Sequence, residues 1–185
     1  MTPKQRLRRE MRETRRRFVA GLGAGEQQRL LGALSDIVQS RLPAEGVVAA
    51  YSAYGDEISA QPLIDSLHGR LALPWFADRD APMQFRLWDG APLDGGPLGI
   101  PQPAAGLAVD PDIVLVPLVA ADARCHRVGQ GKGHYDRALD ALAKRKTVHT
   151  IGLAWDMQVI DAVPVDPWDM PLDAIATPTR WITAT

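Results

Sequence analysis

Apolar residues recur along the chain in two patterns, one typical of helices and one typical of buried strands. Within residues 26–42 they repeat every three or four positions and form a single stripe, made of Leu30, Leu31, Leu34, Ile37, Val38 and Leu42. This spacing predicts a helix with one core-facing side, which Pro43 ends. Short apolar runs at 46–50 and 112–116 instead predict strands that are buried on both faces, as in a parallel sheet.

The remaining predicted elements alternate between helix and strand. Thr2 and Pro3 favour a first helix over 3–18, and Ser59 favours a short helix that reaches about Leu67. Further strands are predicted at 71–73, 84–88 and 148–154, with a closing pair at 174–177 and 180–182. Residues 90–106 are rich in Gly and Pro and are predicted to be loop. This order predicts a single-domain α/β three-layer sandwich with a largely parallel central sheet flanked by helices.

Ligands of such sheets bind beyond the carboxyl ends of the strands. The turn that contains Glu57, the Pro74-Trp75 pair and a glycine-rich loop after the 112–116 strand all follow predicted strands. We therefore expect these three segments to share one rim of the sheet.

The glycine-rich loop reads Gly129-Gln130-Gly131-Lys132-Gly133 and precedes a predicted helix. Alternate glycines allow successive backbone N–H groups to turn toward one anion, and the helix adds its positive N-terminal end. Arg127 and Lys132 bring mobile positive charge, so the loop suits phosphate. Asp136 lies four residues after Lys132, where both can share one helix face, and a carboxylate beside a phosphate loop suits Mg²⁺.

Neither of the two common nucleotide-binding signatures fits this loop. A P-loop needs Gly five residues before the Gly-Lys pair and Ser or Thr after the Lys, where this chain has His126 and Gly133. A dinucleotide fingerprint needs a third glycine where the chain has His134. The loop alone is therefore compatible with a phosphate cradle or with a plain glycine-rich turn.

The wider string resembles the signature of the 5-formyltetrahydrofolate cyclo-ligase family. In that family a strand leads into an Arg-Leu-Gly-x-Gly-(Gly/Lys)-Gly-x-Tyr-Asp run, which residues 127–136 match with one change, Val128. Other matches follow in family order: Lys4 with Leu7 and Arg8, the 51–58 stretch that closes in Asp-Glu-Ile, Leu73-Pro74, the 100–103 turn, Gln158 and residues 169–177. Several ordered matches are much harder to obtain by chance than one loop.

The resemblance implies an enzyme that uses ATP and Mg²⁺ to convert 5-formyltetrahydrofolate to 5,10-methenyltetrahydrofolate, with release of ADP and phosphate. Matched residue by residue, the ATP contacts are Lys4, Arg8, Arg127, Gly129, Gln130, Gly131, Lys132, Gly133, His134 and Tyr135. The folate contacts are Ser52, Glu57 and residues 130–134. Asp136 and Asp169 match acids associated with the metal. Glu57, Arg127 and Lys132 are the expected catalytic residues.

Several of these residues also have plainer interpretations. Glu57 could be an exposed turn residue, Asp136 a first-turn acid that stabilises the helix dipole, and Asp169 one of several acids in a proline-punctuated turn. His134 is better suited to positioning the loop than to acid–base work. The five tryptophans are most simply core or edge fillers, and Trp75 is the best candidate among them for a wall of the pterin pocket.

The predicted first helix is crowded with cations, namely Lys4, Arg6, Arg8, Arg9, Arg12, Arg15, Arg16 and Arg17. These residues could form a solvated face, a nucleic-acid arm, or a set of cations that folds back onto a triphosphate. The arm lacks interleaved aromatic residues. The resemblance favours the third interpretation for Lys4 and Arg8 and leaves the other arginines at the surface.

Composition narrows the class of protein further. A chain of 185 residues with a net charge of −1 has no strong global attraction to nucleic acid or to a membrane. The single cysteine, Cys125, excludes an internal disulfide, and no apolar run has the length of a membrane span. The start of the chain is too basic for a secretory signal and lacks the apolar core of one. We expect a cytoplasmic monomer that binds neither nucleic acid nor a membrane.

Two positions depart from the family pattern. Ala121 replaces an aromatic residue, and Cys125 stands where glycine is common, which restricts φ at that turn. Both bear on substrate fit more than on nucleotide binding. Two rival functions therefore stay open: another ATP-dependent small-molecule enzyme on the same scaffold, or a non-catalytic reduced-folate-binding protein.

Overall fold

A computed structural model describes residues 1–67 and 69–184 of the chain. Its helices are α1 (Pro3–Gly21), α2 (Ala24–Gln39), α3 (Gln61–Ser66) and α4 (His134–Ala143), with a 3-10 helix at Asp156–Gln158. Its strands are β1 (Val48–Ala49), β2 (Leu71–Trp75), β3 (Gln84–Leu87), β4 (Leu93–Gly95), β5 (Pro101–Pro103), β6 (Ala108–Val109), β7 (Ile113–Pro117), β8 (Ala120–Asp122), β9 (Arg127–Val128), β10 (His149–Leu153), β11 (Val159–Ile160), β12 (Ala174–Ala176) and β13 (Trp181–Thr183).

The main sheet has eight strands in the order β13-β12-β10-β7-β1-β2-β3-β6. Its five central strands, from β12 to β2, are parallel, whereas β13, β3 and β6 pair antiparallel at the edges. The predicted closing pair is confirmed by the antiparallel pairing of Ala176 with Trp181. The carboxyl ends of the parallel strands meet at one edge and so place the following loops together.

Alternate residues of the central strands pack into two different core clusters. Val48 and Ile113 face the cluster that contains Leu34 and Val38 of α2, whereas Ala49 and Val114 face the cluster that contains Leu142 of α4. Since successive strand residues point to opposite faces, the sheet is covered on both sides. The predicted three-layer α/β arrangement with a largely parallel sheet is confirmed.

Helix α1 begins where its capping residues predict and continues three residues beyond the predicted end. The Thr2 hydroxyl accepts a hydrogen bond from the Gln5 amide at 3.2 Å, and the Gln5 side chain accepts one from the Thr2 amide at 2.8 Å, which forms a capping box. Met11 packs against Val128 and its neighbours in a small three-stranded sheet, ordered β11-β8-β9. The helix is therefore docked on the segment that leads to the glycine-rich loop.

The prediction that residues 90–106 are entirely loop is wrong. Strands β4 and β5 form a two-stranded hairpin here, and its turn includes Gly99 with a left-handed φ of 72°. The buried side chain of Gln102 donates to the Phe76 carbonyl at 3.1 Å and accepts from the Phe76 amide at 3.0 Å. These two bonds hold the hairpin against the end of β2, a tertiary contact that local Gly and Pro content does not indicate.

Other differences concern short elements and helix ends. Strands β6, β8, β9 and β11 were not predicted, and β8 and β9 lie within the stretch that was expected to be loop after β7. Helix α2 ends at Gln39 rather than Leu42, because the last residues before Pro43 form a turn. None of the helices in the described part of the chain has the length and apolar character needed to cross a membrane.

Candidate active site

The loops at the carboxyl ends of the parallel strands converge as predicted. We call this surface the rim; it comprises residues 52–57, 75–76, 129–136 and 166–170. Gln130 of the glycine-rich loop donates a hydrogen bond from Nε2 to Oε1 of Glu57 at 2.5 Å. Phe76, directly after β2, contacts His134 edge-to-face with ring centroids 5.0 Å apart. The three segments that were expected to share one rim therefore meet there.

Glu57 forms hydrogen bonds within its own turn and is also part of the rim. Its second oxygen, Oε2, accepts a hydrogen bond from the Tyr54 amide at 3.0 Å, and its own amide donates to the Tyr54 carbonyl at 3.2 Å. The buried Tyr51 hydroxyl donates to the Ile58 carbonyl at 2.6 Å and clamps the two ends of this turn. Ser52 is half-buried beside Tyr51. Glu57 is thus held by its turn, with one oxygen directed at the glycine-rich loop.

Two of the three loop glycines adopt a backbone conformation that other residues rarely adopt. Gly131 has φ of 97° and Gly133 has φ of 68°, whereas Gly129 is not left-handed. A side chain at Gly131 would also approach the Arg8 guanidinium, since an added Cβ would lie 3.3 Å from Arg8 Cζ. Gly133 is the N-cap of α4, so the loop ends at the positive end of that helix.

One face of α1 contacts the rim through a series of cations. Arg8 Nε donates to the Gly129 carbonyl at 2.8 Å, and one helical turn later Arg12 donates to the Gln130 carbonyl at 3.0 Å and to its Oε1 at 2.6 Å. Arg15, 5% exposed, pairs with Asp56 at 3.0 Å. The prediction that the arginines other than Arg8 lie at the surface is therefore wrong for Arg15, which is buried, whereas Arg12 is exposed as predicted and still contacts the loop.

The predicted metal acid Asp136 pairs with the predicted phosphate cation Arg127. Arg127 Nη2 donates to Asp136 Oδ1 at 2.5 Å, and Nη1 donates to the Met170 carbonyl at 3.0 Å. Burial lowers the pKa of the Arg127 guanidinium, and the nearby carboxylates of Asp136 and Asp169 oppose that effect. Arg127 is buried, while the Asp136 side chain remains 55% exposed.

The second predicted metal acid, Asp169, pairs with Lys4. The Lys4 ammonium also reaches Asp166 Oδ2 at 2.6 Å, and the Asp166 amide donates to Asp169 Oδ2 at 2.7 Å. Burial acts to raise the pKa of Asp169, but the Asp166 amide and Lys4 outweigh it and leave the pKa below its usual value. Asp169 is therefore an ionised acid held next to a cation from α1.

Asp136 and Asp169 suit Mg²⁺ only if a bound molecule supplies further oxygen ligands. Among the described residues, no three His, Cys, Asp or Glu side chains converge as a metal site. Asp136 and Asp169 come from separate elements, and both lie beside Arg127, whose pKa they influence. Mg²⁺ in nucleotide sites is commonly held by one or two carboxylates plus phosphate oxygens. The two acids fit a Mg-nucleotide better than a metal held by protein alone.

Lys132 and Asp136 do not share a helix face, contrary to the prediction. Helix α4 begins at His134, and Gly133 turns the backbone before it, so that Lys132 lies on the exposed loop. Burial, followed by the nearby charges of Arg137 and Lys132, lowers the pKa of His134. Lys132 is therefore free to move toward an anion, and His134 is held by its contact with Phe76.

Tyr135 and Trp75 lie inside the rim with different environments. The Tyr135 hydroxyl is buried and makes no hydrogen bond to any described residue, and burial raises its pKa well above the usual value. The Trp75 ring is half-buried at the end of β2, with the Arg86 guanidinium 3.5 Å from its centroid. That cation covers one face of the indole that was expected to contact the pterin.

Three features of the rim were not predicted. A cleft of about 640 Å³ opens between α1 and the 54–56 turn and ends at Gln130. Asp166 shares Lys4 with Asp169, and Trp168 is 75% exposed, so it is not a core or edge filler. The four-residue spacing of Lys4, Arg8 and Arg12 was the available signal for the docked face of α1.

Three comparisons with known proteins point to one family. Residues 1–178 match the model of the 5-formyltetrahydrofolate cyclo-ligase family. A 5-formyltetrahydrofolate cyclo-ligase of Mycolicibacterium smegmatis is 30% identical over 98% of this chain and 96% of its own length. The solution structure of a 5,10-methenyltetrahydrofolate synthetase from Aquifex aeolicus has a TM-score of 0.82 and 29% identity, covering 99% of this chain and 93% of that one.

A 5,10-methenyltetrahydrofolate synthetase of Mycoplasma pneumoniae shares the fold at 22% identity, with a TM-score of 0.69 over 95% of this chain and 98% of that one. The family model and the M. smegmatis relative both extend over nearly the whole chain. The chain therefore belongs to the 5-formyltetrahydrofolate cyclo-ligase family and is an enzyme of the ligase class.

Proposed function

We propose that this enzyme converts 5-formyltetrahydrofolate to 5,10-methenyltetrahydrofolate in a reaction that consumes ATP and requires Mg²⁺. The observation that supports this best is the hydrogen bond of 2.5 Å between Glu57 and Gln130. It joins the matched folate glutamate to the loop matched to the nucleotide. A folate bound at Glu57 and a phosphate bound at residues 129–133 would therefore be neighbours.

The reaction needs activation because a formamide carbon is a poor electrophile. The nitrogen lone pair is delocalised onto the formyl oxygen, which makes that oxygen the nucleophilic atom. The formyl oxygen attacks the γ-phosphorus of ATP, the bond to the β-phosphate oxygen breaks, and ADP leaves. N10 of the folate then attacks the activated carbon, the N10 proton is lost, and the C–O bond breaks to release phosphate. The net product is the five-membered methenyl ring.

The protein's part in this sequence is positioning and charge neutralisation, which supply most of the catalysis in phosphoryl transfer. The 129–133 backbone and Lys132 would cradle the phosphates. In the structure, Lys4 pairs with Asp169 and Arg127 pairs with Asp136. When ATP binds, phosphate oxygens would replace these acids as the partners of the two cations. Those two acids would hold Mg²⁺, which when bound offsets the negative charge of the phosphates.

Roles on the folate side follow from the same geometry. Glu57 can accept a hydrogen bond from the pterin or take up the proton of N10, since its Oε1 faces the loop. Gln130 can turn its amide from Glu57 to a substrate oxygen without leaving the rim. Ser52 and the uncovered face of Trp75 would line the same pocket.

We also propose a cytoplasmic monomer without a nucleic-acid or membrane partner. In support, the cations of α1 that could form a nucleic-acid arm are partly occupied by the protein's own groups. Arg8, Arg12 and Arg15 contact Gly129, Gln130 and Asp56, respectively. Sedimentation of the purified protein at two concentrations tests the monomer, and a salt titration of RNA binding tests the arm.

The reaction is tested by the absorbance of the methenyl product when purified protein is mixed with 5-formyltetrahydrofolate, ATP and Mg²⁺. We expect product only when nucleotide and metal are both present, together with one ADP per turnover. ATP hydrolysis that does not depend on folate would favour another ATP-dependent enzyme on this scaffold. Tight folate binding with no ADP formation would favour a non-catalytic folate-binding protein.

A further inference from the structure

The segment that carries Asp169 is anchored to the rest of the protein on both sides. The Val163 amide donates to Asp122 Oδ2 at 3.2 Å, and the Leu172 amide donates to the Cys125 carbonyl at 2.9 Å. Between them, the Asp169 amide donates to the Asp166 carbonyl at 3.0 Å, which forms a tight turn with Trp168 inside it. The backbone around Trp168 is therefore fixed on the rim.

This anchored turn exposes large apolar side chains beside a charged site. Trp168 is 75% exposed and Met170 is 57% exposed. The residue between them, Asp169, pairs with Lys4, and the Met170 carbonyl accepts a hydrogen bond from Arg127. An exposed indole on a fixed backbone is an available flat surface, and here it belongs to a turn whose next two residues contact two cations assigned to phosphate.

The other aromatic rings of the rim are either partly covered by other side chains or lie on the Glu57 side of the loop. Arg86 lies over the Trp75 ring, and the Phe76 ring is in edge contact with His134. Tyr54 is exposed, but it lines the cleft on the Glu57 side of the loop. Among the described residues, Trp168 is thus the exposed aromatic residue of the turn that contacts Lys4 and Arg127.

We propose that Trp168 stacks on the adenine base of ATP, with Met170 at the edge of the base. This inference rests on the proposed function, because it takes the triphosphate to lie on Lys4, Arg127 and the 129–133 loop. The required ligand has a flat aromatic part joined to a polyanion, which describes a nucleoside triphosphate. Trp168 is therefore a positioning residue that sets nucleotide affinity and takes no part in bond making.

The test measures binding directly, by titration calorimetry of the full-length protein with Mg-ATP and with magnesium inorganic triphosphate. Removing a base–aromatic stack weakens binding by roughly five- to 150-fold. We expect the Kd for ATP to rise by about that factor in Trp168→Ala and to stay within about threefold of wild type in Trp168→Phe. The Kd for inorganic triphosphate should be the same in all three proteins, because it has no base.

Turnover and fluorescence separate this role from a structural one. Trp168→Ala should raise the KM for ATP and leave kcat and the KM for folate near wild type. Quenching of intrinsic fluorescence by ATP should be lost in Trp168→Phe and kept in Trp181→Phe, where the replaced tryptophan lies at the β13 edge of the sheet. Since Trp168 is largely exposed, circular dichroism and the Tm should not change.

Four outcomes would overturn the inference. An ATP Kd that is unchanged in Trp168→Ala would remove the stacking role. A rise in the folate KM instead of the ATP Kd would make Trp168 a wall of the pterin pocket. Equal weakening of ATP and inorganic triphosphate would mean that the indole only supports Asp169. A wild-type protein that binds neither nucleotide nor triphosphate would contradict the proposed function itself, and this inference with it.

Discussion

Asp136 shows how much of the proposed chemistry depends on the charge of one side chain. Its carboxylate accepts a hydrogen bond from Arg127 but is otherwise largely exposed at the start of α4. Asp136→Asn keeps an oxygen for Arg127 and removes the negative charge that a metal needs. We expect turnover with Mg-ATP to fall by on the order of 10²-fold or more, while the Tm changes little.

The matched control is Asp140→Asn. Asp140 lies one turn further along α4, is exposed, and pairs with Lys144 at 2.7 Å. An exposed pair of this kind is worth less than about 1 kcal/mol, so both turnover and stability should stay near wild type. Unchanged turnover in Asp136→Asn, measured by methenyl absorbance at saturating Mg²⁺, would dismiss the metal role of this acid.

Cys125 adopts a left-handed conformation that a glycine would adopt at no steric cost. Its φ is 61°, and its thiol is fully buried. Burial raises the pKa of the thiol, so its position favours packing over reactivity. A non-glycine residue in this region costs about 1–2 kcal/mol. Packing of the thiol against the core offsets part of that cost.

Comparison of Cys125→Gly with Cys125→Ala isolates the backbone contribution. Both changes remove the thiol, but only glycine relieves the left-handed φ. We expect Cys125→Gly to be more stable than Cys125→Ala by about 1 kcal/mol, which corresponds to roughly 2–4 °C in Tm. Thermal unfolding by circular dichroism measures the difference. An alanine variant that equals or exceeds the glycine variant would show that φ at this turn carries no strain.

At the scale of elements, α1 is held to the rim by its basic face. Arg15 is the buried member of that face, where it pairs with Asp56 at 3.0 Å and approaches the Leu118 carbonyl at 3.4 Å. Arg15→Ala would leave Asp56 without its cation. Because hydrogen bonds to charged groups are worth about 1.5–3 kcal/mol, we expect a loss of about 2 kcal/mol, or roughly 4–8 °C in Tm.

Arg16→Ala provides the control on the same helix. Arg16 is exposed and pairs only with Glu13 one turn away among the described residues, so its loss should change the Tm by less than about 2 °C. Urea unfolding at neutral pH gives both free energies of unfolding. Equal effects of the two substitutions would mean that α1 is held by its apolar residues, such as Met11, and that the buried ion pair adds no net stability.

Elements with strong local signals were predictable, and elements created by tertiary contacts were not. The apolar stripe of α2 and the apolar runs of β1 and β7 identified their elements, with ends displaced by a few residues. Strands β8 and β9 were missed because each is short and includes a charged residue, Asp122 or Arg127, so that neither reads as an apolar run. The β4–β5 hairpin was missed because it depends on Gln102 and its bonds to Phe76.

At the scale of the whole molecule, the candidate site also combines contacts that the sequence predicts with contacts that it does not. The convergence of the Glu57 turn with the glycine-rich loop followed from parallel strand order alone. The pairing of Lys4 with Asp166 and Asp169 joins residues more than 160 positions apart, and no local pattern indicates it. The exposure of Trp168 likewise depends on how the 163–172 segment is anchored, so composition could only suggest a core role.

Asp122 connects the β8–β9 hairpin to the 163–172 segment from a position that is 1% exposed. Its carboxylate accepts hydrogen bonds from the amides of Arg124 at 3.0 Å, His126 at 3.2 Å and Val163 at 3.2 Å. Burial acts to raise the pKa of this acid, but the amides of Val163, Arg124 and His126 outweigh it, and the pKa lies below the usual value. The ionised form is therefore the one that stabilises the fold.

A depressed folded-state pKa fixes the sign of the pH dependence. The stabilisation by Asp122 is complete above the unfolded pKa, about 3.9, and is lost as pH falls through the lower folded value. Asp122→Asn, which cannot ionise, should lose about 2 kcal/mol at pH 7, and its deficit should shrink steadily below about pH 4. Urea unfolding at pH 7, 5, 4 and 3 measures this, with the exposed Asp161→Asn as control. A deficit that is constant down to pH 3 would show that packing, and not the charge of Asp122, holds the β8–β9 hairpin to the segment that carries Trp168 and Asp169.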